Sequence, residues 1–122
     1  MKIKTLITLA ILTLMLTIFF TLSASVARLH SEDMAKKDFF SHDSLDGTSF
    51  SKRMVAQGVS YYTCGENIVG GYVRGYDAYC ARVNSSGHRS NMLGASYKYL
   101  GVGGGYNAKS EYRCCFTQDF FA

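Results

Sequence analysis

Residues Thr5 to Leu22 are apolar apart from their threonines, and this run decides how much chain is left to fold. Two lysines stand just before it, Lys2 and Lys4, and Ser23-Ala24-Ser25-Val26-Ala27 follows. A basic start, an apolar middle and a small-residue zone are the layout of a secretory signal. Cleavage after Ala27 would satisfy the small-x-small rule through Ser25 and Ala27. The run is also just long enough to span a bilayer, so an uncleaved anchor is the alternative. Lys2 and Lys4 would then stay on the cytoplasmic side. Residues 1–23 are therefore assigned to a signal peptide or uncleaved anchor, and 24–122 to a domain that is secreted or held outside the membrane.

What remains of the 122 residues is one small domain with a modest core, for which covalent staples would matter. The formal charge of +4 is dispersed, with no block of like charges, which argues against a nucleic-acid footprint. Four cysteines (Cys64, Cys80, Cys114, Cys115) in an exported chain suggest two disulfides. Adjacent cysteines rarely bond each other, so Cys114 and Cys115 are each expected to pair with one of Cys64 and Cys80. The alternatives are free buried thiols or a zinc site, and no CxxC pair supports zinc.

Ala24 to Lys37 reads as helix, with Ala27, Ser31 and Met34 on one face. Asp46-Gly47 is a turn signal, and Thr48 or Ser49 can cap a short helix through Gln57 that Gly58 ends. Val59 to Tyr62 leads into Cys64-Gly65-Glu66-Asn67, and Gly70-Gly71 and Gly75 bracket a connection to a helix over 76–83. Tyr99 to Gly103 reads as a strand with its turn at 103–107, and 111–120 as the returning strand. Helices first and strands later predict an α+β domain with a small antiparallel sheet.

Three segments set one ionisable residue beside apolar anchors: Phe39-Phe40-Ser41-His42, Cys64-Gly65-Glu66-Asn67-Ile68 and Ser85-Ser86-Gly87-His88-Arg89-Ser90-Asn91-Met92-Leu93. The expectation is that His42, Glu66 and His88 converge in one cleft. Two imidazoles and a carboxylate can bind a divalent ion or do acid–base chemistry on a water. The plainer alternative is a pair of structural histidines. His30 reads as a mid-helix packing or surface residue. Arg89 would oppose protonation of His88, or bind a backbone turn. Gly101-Val102-Gly103-Gly104-Gly105 lacks the following helix of a phosphate cradle and reads as a glycine-permitted strand and hairpin.

Taken together and in order, these motifs resemble the CAP superfamily (cysteine-rich secretory, antigen 5 and pathogenesis-related 1 proteins), in its bacterial SCP-like branch. The resemblance runs from about Ala24 to Phe120. It is carried by His30–Ala35, Phe40-Ser41-His42 with Asp46-Gly47 and Arg53, Gly65-Glu66-Asn67-Ile68, Asn84–Leu93, Leu100-Gly101-Val102-Gly103 and Thr117-Gln118-Asp119-Phe120. It implies a three-layer α-β-α sandwich with a small antiparallel sheet. It also implies a cleft lined by His42, Glu66 and His88, supported by Asn67, Ser85 and Arg89, which in some members holds zinc or another divalent ion. Several members bind sterols or other lipids, some act in defence or at host surfaces, and no single reaction is settled for the family.

Four departures qualify the resemblance. Ser85 stands where many members have a second glutamate, which weakens any metal site. Arg82 replaces the usual tryptophan, a costly exchange if that position is buried. Ser86 replaces a common proline. The family's first helix is expected before Ala24, where the apolar segment lies, so that helix is missing or replaced by the segment. The resulting expectation is an exported module that binds a lipid, sterol, small ligand or a host or envelope surface, with at most a weak divalent cation, no nucleic acid, and membrane contact only through an uncleaved N-terminal segment. The alternatives are a metal-assisted hydrolase using His42, Glu66 and His88, or a degenerate copy with no function beyond folding.

Overall fold

The structure is a computed structural model that describes residues 3–122; Met1 and Lys2, part of the basic start, lie outside the described residues. The elements in chain order are α1 (Ile3–Lys37), α2 (Phe50–Ala56), β1 (Cys64–Gly70), α3 (Gly75–Val83), α4 (Ser86–Met92), β2 (Tyr99–Tyr106) and β3 (Cys114–Phe121). The three strands form an antiparallel sheet in the order β1-β3-β2. Helices α1 and α2 cover one face and α3 and α4 the other, so the expected α-β-α sandwich is present.

The apolar segment does not stop where the domain begins. It runs without interruption into the first core helix, and the boundary assigned at residue 23 falls inside α1. From Ser23 onward one stripe of this helix is buried: Ser23, Val26, Ala27, His30, Ser31, Met34 and Ala35. That three-to-four spacing is what a helix lying on a sheet requires. Val26 joins Met54, Val59 and Phe121 in one apolar cluster, and Met34 and Ala35 join Ile68 and Cys115 in a second.

Helix α1 lies almost backbone-to-backbone on β2, and three alternate glycines make that possible. A Cβ at Gly101 would overlap the Ser23 carbonyl, at Gly103 the Arg28 backbone, and at Gly105 the Ser31 carbonyl. Side chains alternate across a strand, so Gly101, Gly103 and Gly105 all face the helix. This corrects the expected turn at 103–107: the glycines continue β2 to Tyr106, and residues 107–113 make the connection. Tyr106 pairs with Cys114, so the returning strand also begins later than expected.

The segment around His88 is itself a helix: Ser86 to Met92 form α4, because Ser85 takes the extended N-cap conformation and its carbonyl accepts from Arg89 N at 2.8 Å. Helix α2 forms as expected, with the Ser49 hydroxyl accepting from Lys52 N and Gly58 closing the end at φ +85°.

The structure contains no disulfide: Cys64, Cys80, Cys114 and Cys115 are all free thiols. Strand register removes half of the expected pairing. Cys64 stands opposite Phe121, whereas Cys115 stands opposite Gly70 at the other end of the sheet. Six residues of strand put about 20 Å between Cys64 and Cys115, far beyond the roughly 7 Å of Cα separation that a disulfide spans.

Candidate functional site

Strand β1 is an edge strand, and its register decides what faces the open side. Thr63 and Ala122 exchange both backbone hydrogen bonds, and Gly71 N donates to Cys114 O. Antiparallel pairing alternates, so residues 64, 66, 68 and 70 turn their N–H and C=O groups outward. Helix α4 covers part of that edge. The Asn91 amide donates to the Glu66 carbonyl at 3.3 Å, and the His88 imidazole is turned toward the Ile68 carbonyl.

Glu66 is the centre of the site. Its side chain is 1% exposed and is held from two directions. His42 Nδ1 donates to Oε1 at 2.8 Å, and Arg53 Nη2 donates to Oε2 at 2.7 Å. Arg53 Nη1 also donates to the His42 carbonyl at 2.7 Å, so one guanidinium fixes both the carboxylate and the loop carrying its partner. That loop is further pinned where His30 Nε2 donates to the Ser41 carbonyl at 2.9 Å. His30, read from sequence as packing or surface, is thus a buried tether. The hydrogen bond to Glu66 raises the His42 pKa above its ordinary value, outweighing the effect of burial.

His88 reaches the same edge from the opposite layer. Asn67 Nδ2 donates to the His88 carbonyl at 2.9 Å and to Gln118 Oε1 at 3.2 Å, and Asn91 Nδ2 donates to Asn67 Oδ1 at 2.8 Å. Burial first, then the charges of Arg82 and His42, hold the His88 pKa below its usual value. Its Nδ1 is buried without a hydrogen-bond partner. The structure therefore brings His42 to Glu66 directly and His88 to the neighbouring edge position, with Asn67 as the brace between β1 and α4. Ser85 acts through its backbone as the α4 N-cap. Arg89 leaves the cleft and donates to the Val83 carbonyl at 3.0 Å.

Two residues complete the site that the motifs did not assign to it. Arg53 was visible only as part of a block. Asp119 lies opposite Glu66 in the register, on the same face, at 1% exposure. Burial, and then the neighbouring Glu66 charge, push the Asp119 carboxyl up to about 8. As a carboxylate it has no donor on either oxygen; protonated, it supplies one toward Glu66. The signal for Asp119 is strand pairing, which spacing along one segment does not carry.

A divalent ion fits this arrangement poorly. Among the described residues no group of three or more His, Cys, Asp or Glu side chains is placed to hold a metal. Both Glu66 oxygens are already engaged by Arg53 and His42.

A three-layer sandwich with a His–Glu pair at the edge of a three-stranded sheet is an SCP-type fold. The chain belongs to the cysteine-rich secretory protein (CAP) family, whose pattern it matches over residues 20–120. It is 42% identical over 81 residues to an uncharacterized membrane protein, YlbC, and 42% identical over 83 residues to an uncharacterized protein, YkwD, both of Bacillus subtilis (strain 168). These alignments take in 66% and 68% of this chain but only 23% and 32% of the relatives, so the chain spans about a quarter to a third of their length. An extracellular SCP-domain protein of Bacillus anthracis superposes with a TM-score of 0.73 at 35% identity, over 82% of this chain and 31% of that one. An outer surface protein of Borrelia burgdorferi shares the fold alone, with a TM-score of 0.72 at 17% identity over 83% of this chain and 73% of that one.

Proposed function

We propose that the chain is an extracytoplasmic binding module, whose ligand or partner enters at the open edge of β1 between His42 and His88. The observation that supports this reading is the double engagement of Glu66. A carboxylate clamped by Arg53 and His42 is spent on holding His42 in place, which leaves the half-exposed imidazole to meet a ligand through Nε2. The same clamp would also orient His42 to accept a proton at Nε2, so a turnover measurement is what separates recognition from the hydrolase. A sterol or other lipid, or a polar group on an envelope or host surface, is the class of ligand the family resemblance supplies. A divalent cation would have the two imidazoles to itself and would bind weakly.

The imidazole NMR signals of His42 and His88 in the full chain test this reading, titrated first with a soluble sterol and then with Zn²⁺. Saturable shifts of both residues, with the His42 shift lost in His88→Ala, support a ligand site at this edge. Titrations that leave both imidazoles unmoved would overturn it, and turnover abolished by Glu66→Gln would replace it with the hydrolase.

A further inference from the structure

Beyond the cleft, and independent of it, a second surface lies at the opposite side of the sheet, where the apolar half of α1 meets β2. Helix α1 and β2 run in the same direction: Gly101 lies against Ser23, Gly103 against Arg28 and Gly105 against Ser31. The start of β2 therefore points back along α1 toward its apolar N-terminal part. A cavity of about 610 Å³ opens there, lined by Leu16, Ser23, Ala24, Lys98, Tyr99, Leu100 and Val102. Leu16 belongs to the apolar run itself. Tyr99, Leu100 and Val102 are each more than two-fifths exposed, and Lys98 stands beside them.

The apolar half of α1 has what a lipid-embedded helix needs. By length and composition it can cross a membrane, and none of its most apolar stretch is buried in the protein. Its Thr8, Thr13 and Thr17 hydroxyls donate back to the carbonyls of Lys4, Leu9 and Thr13 at 2.9–3.1 Å, so they need no water. Cleavage after Ala27 would remove Ser23, Val26 and Ala27 from the buried stripe that the β2 glycines receive.

We infer that α1 is retained as a membrane anchor and that the Lys98–Val102 rim of β2 seats in the outer phospholipid leaflet beside it. At about 1.5 Å per residue, Leu16 lies roughly 10 Å deeper along the helix than Ser23. A rim sharing a cavity with Leu16 therefore cannot stand clear of a bilayer that the helix spans. Its composition suits that depth. Tyrosine favours the headgroup level, leucine and valine the acyl boundary just below it, and a lysine can extend its ammonium up to a phosphate. The occupant of the cavity is phospholipid, and the domain is held flat against the membrane rather than on a free stalk.

The chain has no tryptophan, so a single one reports its own surroundings. In the full chain reconstituted into phospholipid nanodiscs, Leu100→Trp should emit blue-shifted light and lose intensity when the lipids carry bromine near the headgroup end of the acyl chain. Val73→Trp, at an exposed site just before α3 at the far end of the sheet, should stay red and unquenched. Lys98→Glu placed in the Leu100→Trp background should reduce the quenching, while circular dichroism checks that the fold persists. Water-like, unquenched emission from both positions would overturn the rim, as would equal quenching of both. The mass of the chain recovered from cells tests the anchor separately: a mature form beginning after Ala27 would overturn its retention.

Discussion

On the α1 side of the sheet, main chain meets main chain, whereas on the α3–α4 side the layer is thin and buries one charge, Arg82, with two of its nitrogens unbonded. The first side is filled by Val26, Ala27, Met34, Ala35, Met54 and Phe121, all at or below 3% exposure, and by glycines that admit the helix axis itself. The second has Ala78 and Arg82 as the buried residues of α3, none in α4, and an Arg82 whose Nε and Nη1 have no hydrogen-bond partner. Between the two, at the edge of β1, sits Glu66 with its clamps. The contrast separates a face held by close backbone packing from a layer where Arg82 and His88 keep buried polar atoms without partners.

The sharpest way to break that contrast is to fill the glycine track. Gly103→Val would drive a side chain into the Arg28 backbone, which cannot move without lifting α1 off β2. We expect a loss of about 4 kcal/mol or more, read as a collapsed midpoint in urea or a chain that does not fold. A variant close to wild type in stability would mean that α1 is not docked on β2.

Glu66→Gln comes next. Removing the charge leaves Arg53, which is 14% exposed, without its carboxylate and should cost about 3 kcal/mol, toward the lower end for a broken buried pair. The His42 pKa should fall, because the hydrogen bond that raises it is the largest influence on it. An NMR titration of the His42 ring reads this directly, and an unmoved pKa would show that Glu66 does not hold the imidazole.

Asp119 links both sides through pH. Its carboxyl holds a proton up to about pH 8 in the folded chain and to about 4 when unfolded. Over that window the folded state binds more protons, so stability should fall as pH rises, by up to about 1.4 kcal/mol per unit, and flatten above 8. The raised His42 pKa adds a slope of the same sign through its own titration. Asp119→Asn, an isosteric stand-in for the protonated acid, should flatten most of the decline between pH 5 and 8 in chemical denaturation at each pH. A decline of unchanged steepness would assign it to other groups.

The two sides were also unequally legible in the sequence. The part of α1 from Ala24 to Lys37, the Ser49 cap of α2 and the approach of His42 to Glu66 follow from local pattern and from motifs whose order resembles the family. Local pattern failed where the partner is distant in sequence. Gly103 and Gly105 looked like part of a turn because their reason is Arg28 and Ser31, more than seventy residues away. Cys64 and Cys115 looked like a pair because only register places them at opposite ends of the sheet. Asp119 carried no sign of its role because it acts through Glu66, its partner across the strands.

Arg82 tests the thin side alone. The guanidinium is buried at 4% exposure, and burial pulls its pKa below the usual value. Even a buried ion pair can often be replaced by apolar groups of similar volume at no loss or with a gain of about 1–4 kcal/mol, and Arg82 bears its desolvation cost with Nε and Nη1 unbonded. Arg82→Leu should therefore raise stability by about 1–2 kcal/mol, measured by urea denaturation. It should also raise the His88 pKa, since the Arg82 charge is one of the influences that depress it. A destabilised variant would reveal that Arg82 has a partner in solution, and would turn this side of the molecule from a packing defect into part of the binding site.

The mildest contrast is drawn by Gly87, which lies in α4 with nothing within 4 Å of where a Cβ would sit. Gly87→Ala should stabilise by about 0.5–1 kcal/mol, through the lower entropy of the unfolded chain and the better helix propensity of alanine. The same methyl that should wreck the molecule's packing at Gly103 should thus help it at Gly87, one residue from His88. If ligand binding at His88 needs α4 to shift, the stabilised helix will bind more weakly despite its higher urea midpoint. If α4 is already in its binding position, affinity will be unchanged. Measuring both quantities on this one variant separates a preformed cleft from one that its ligand must open.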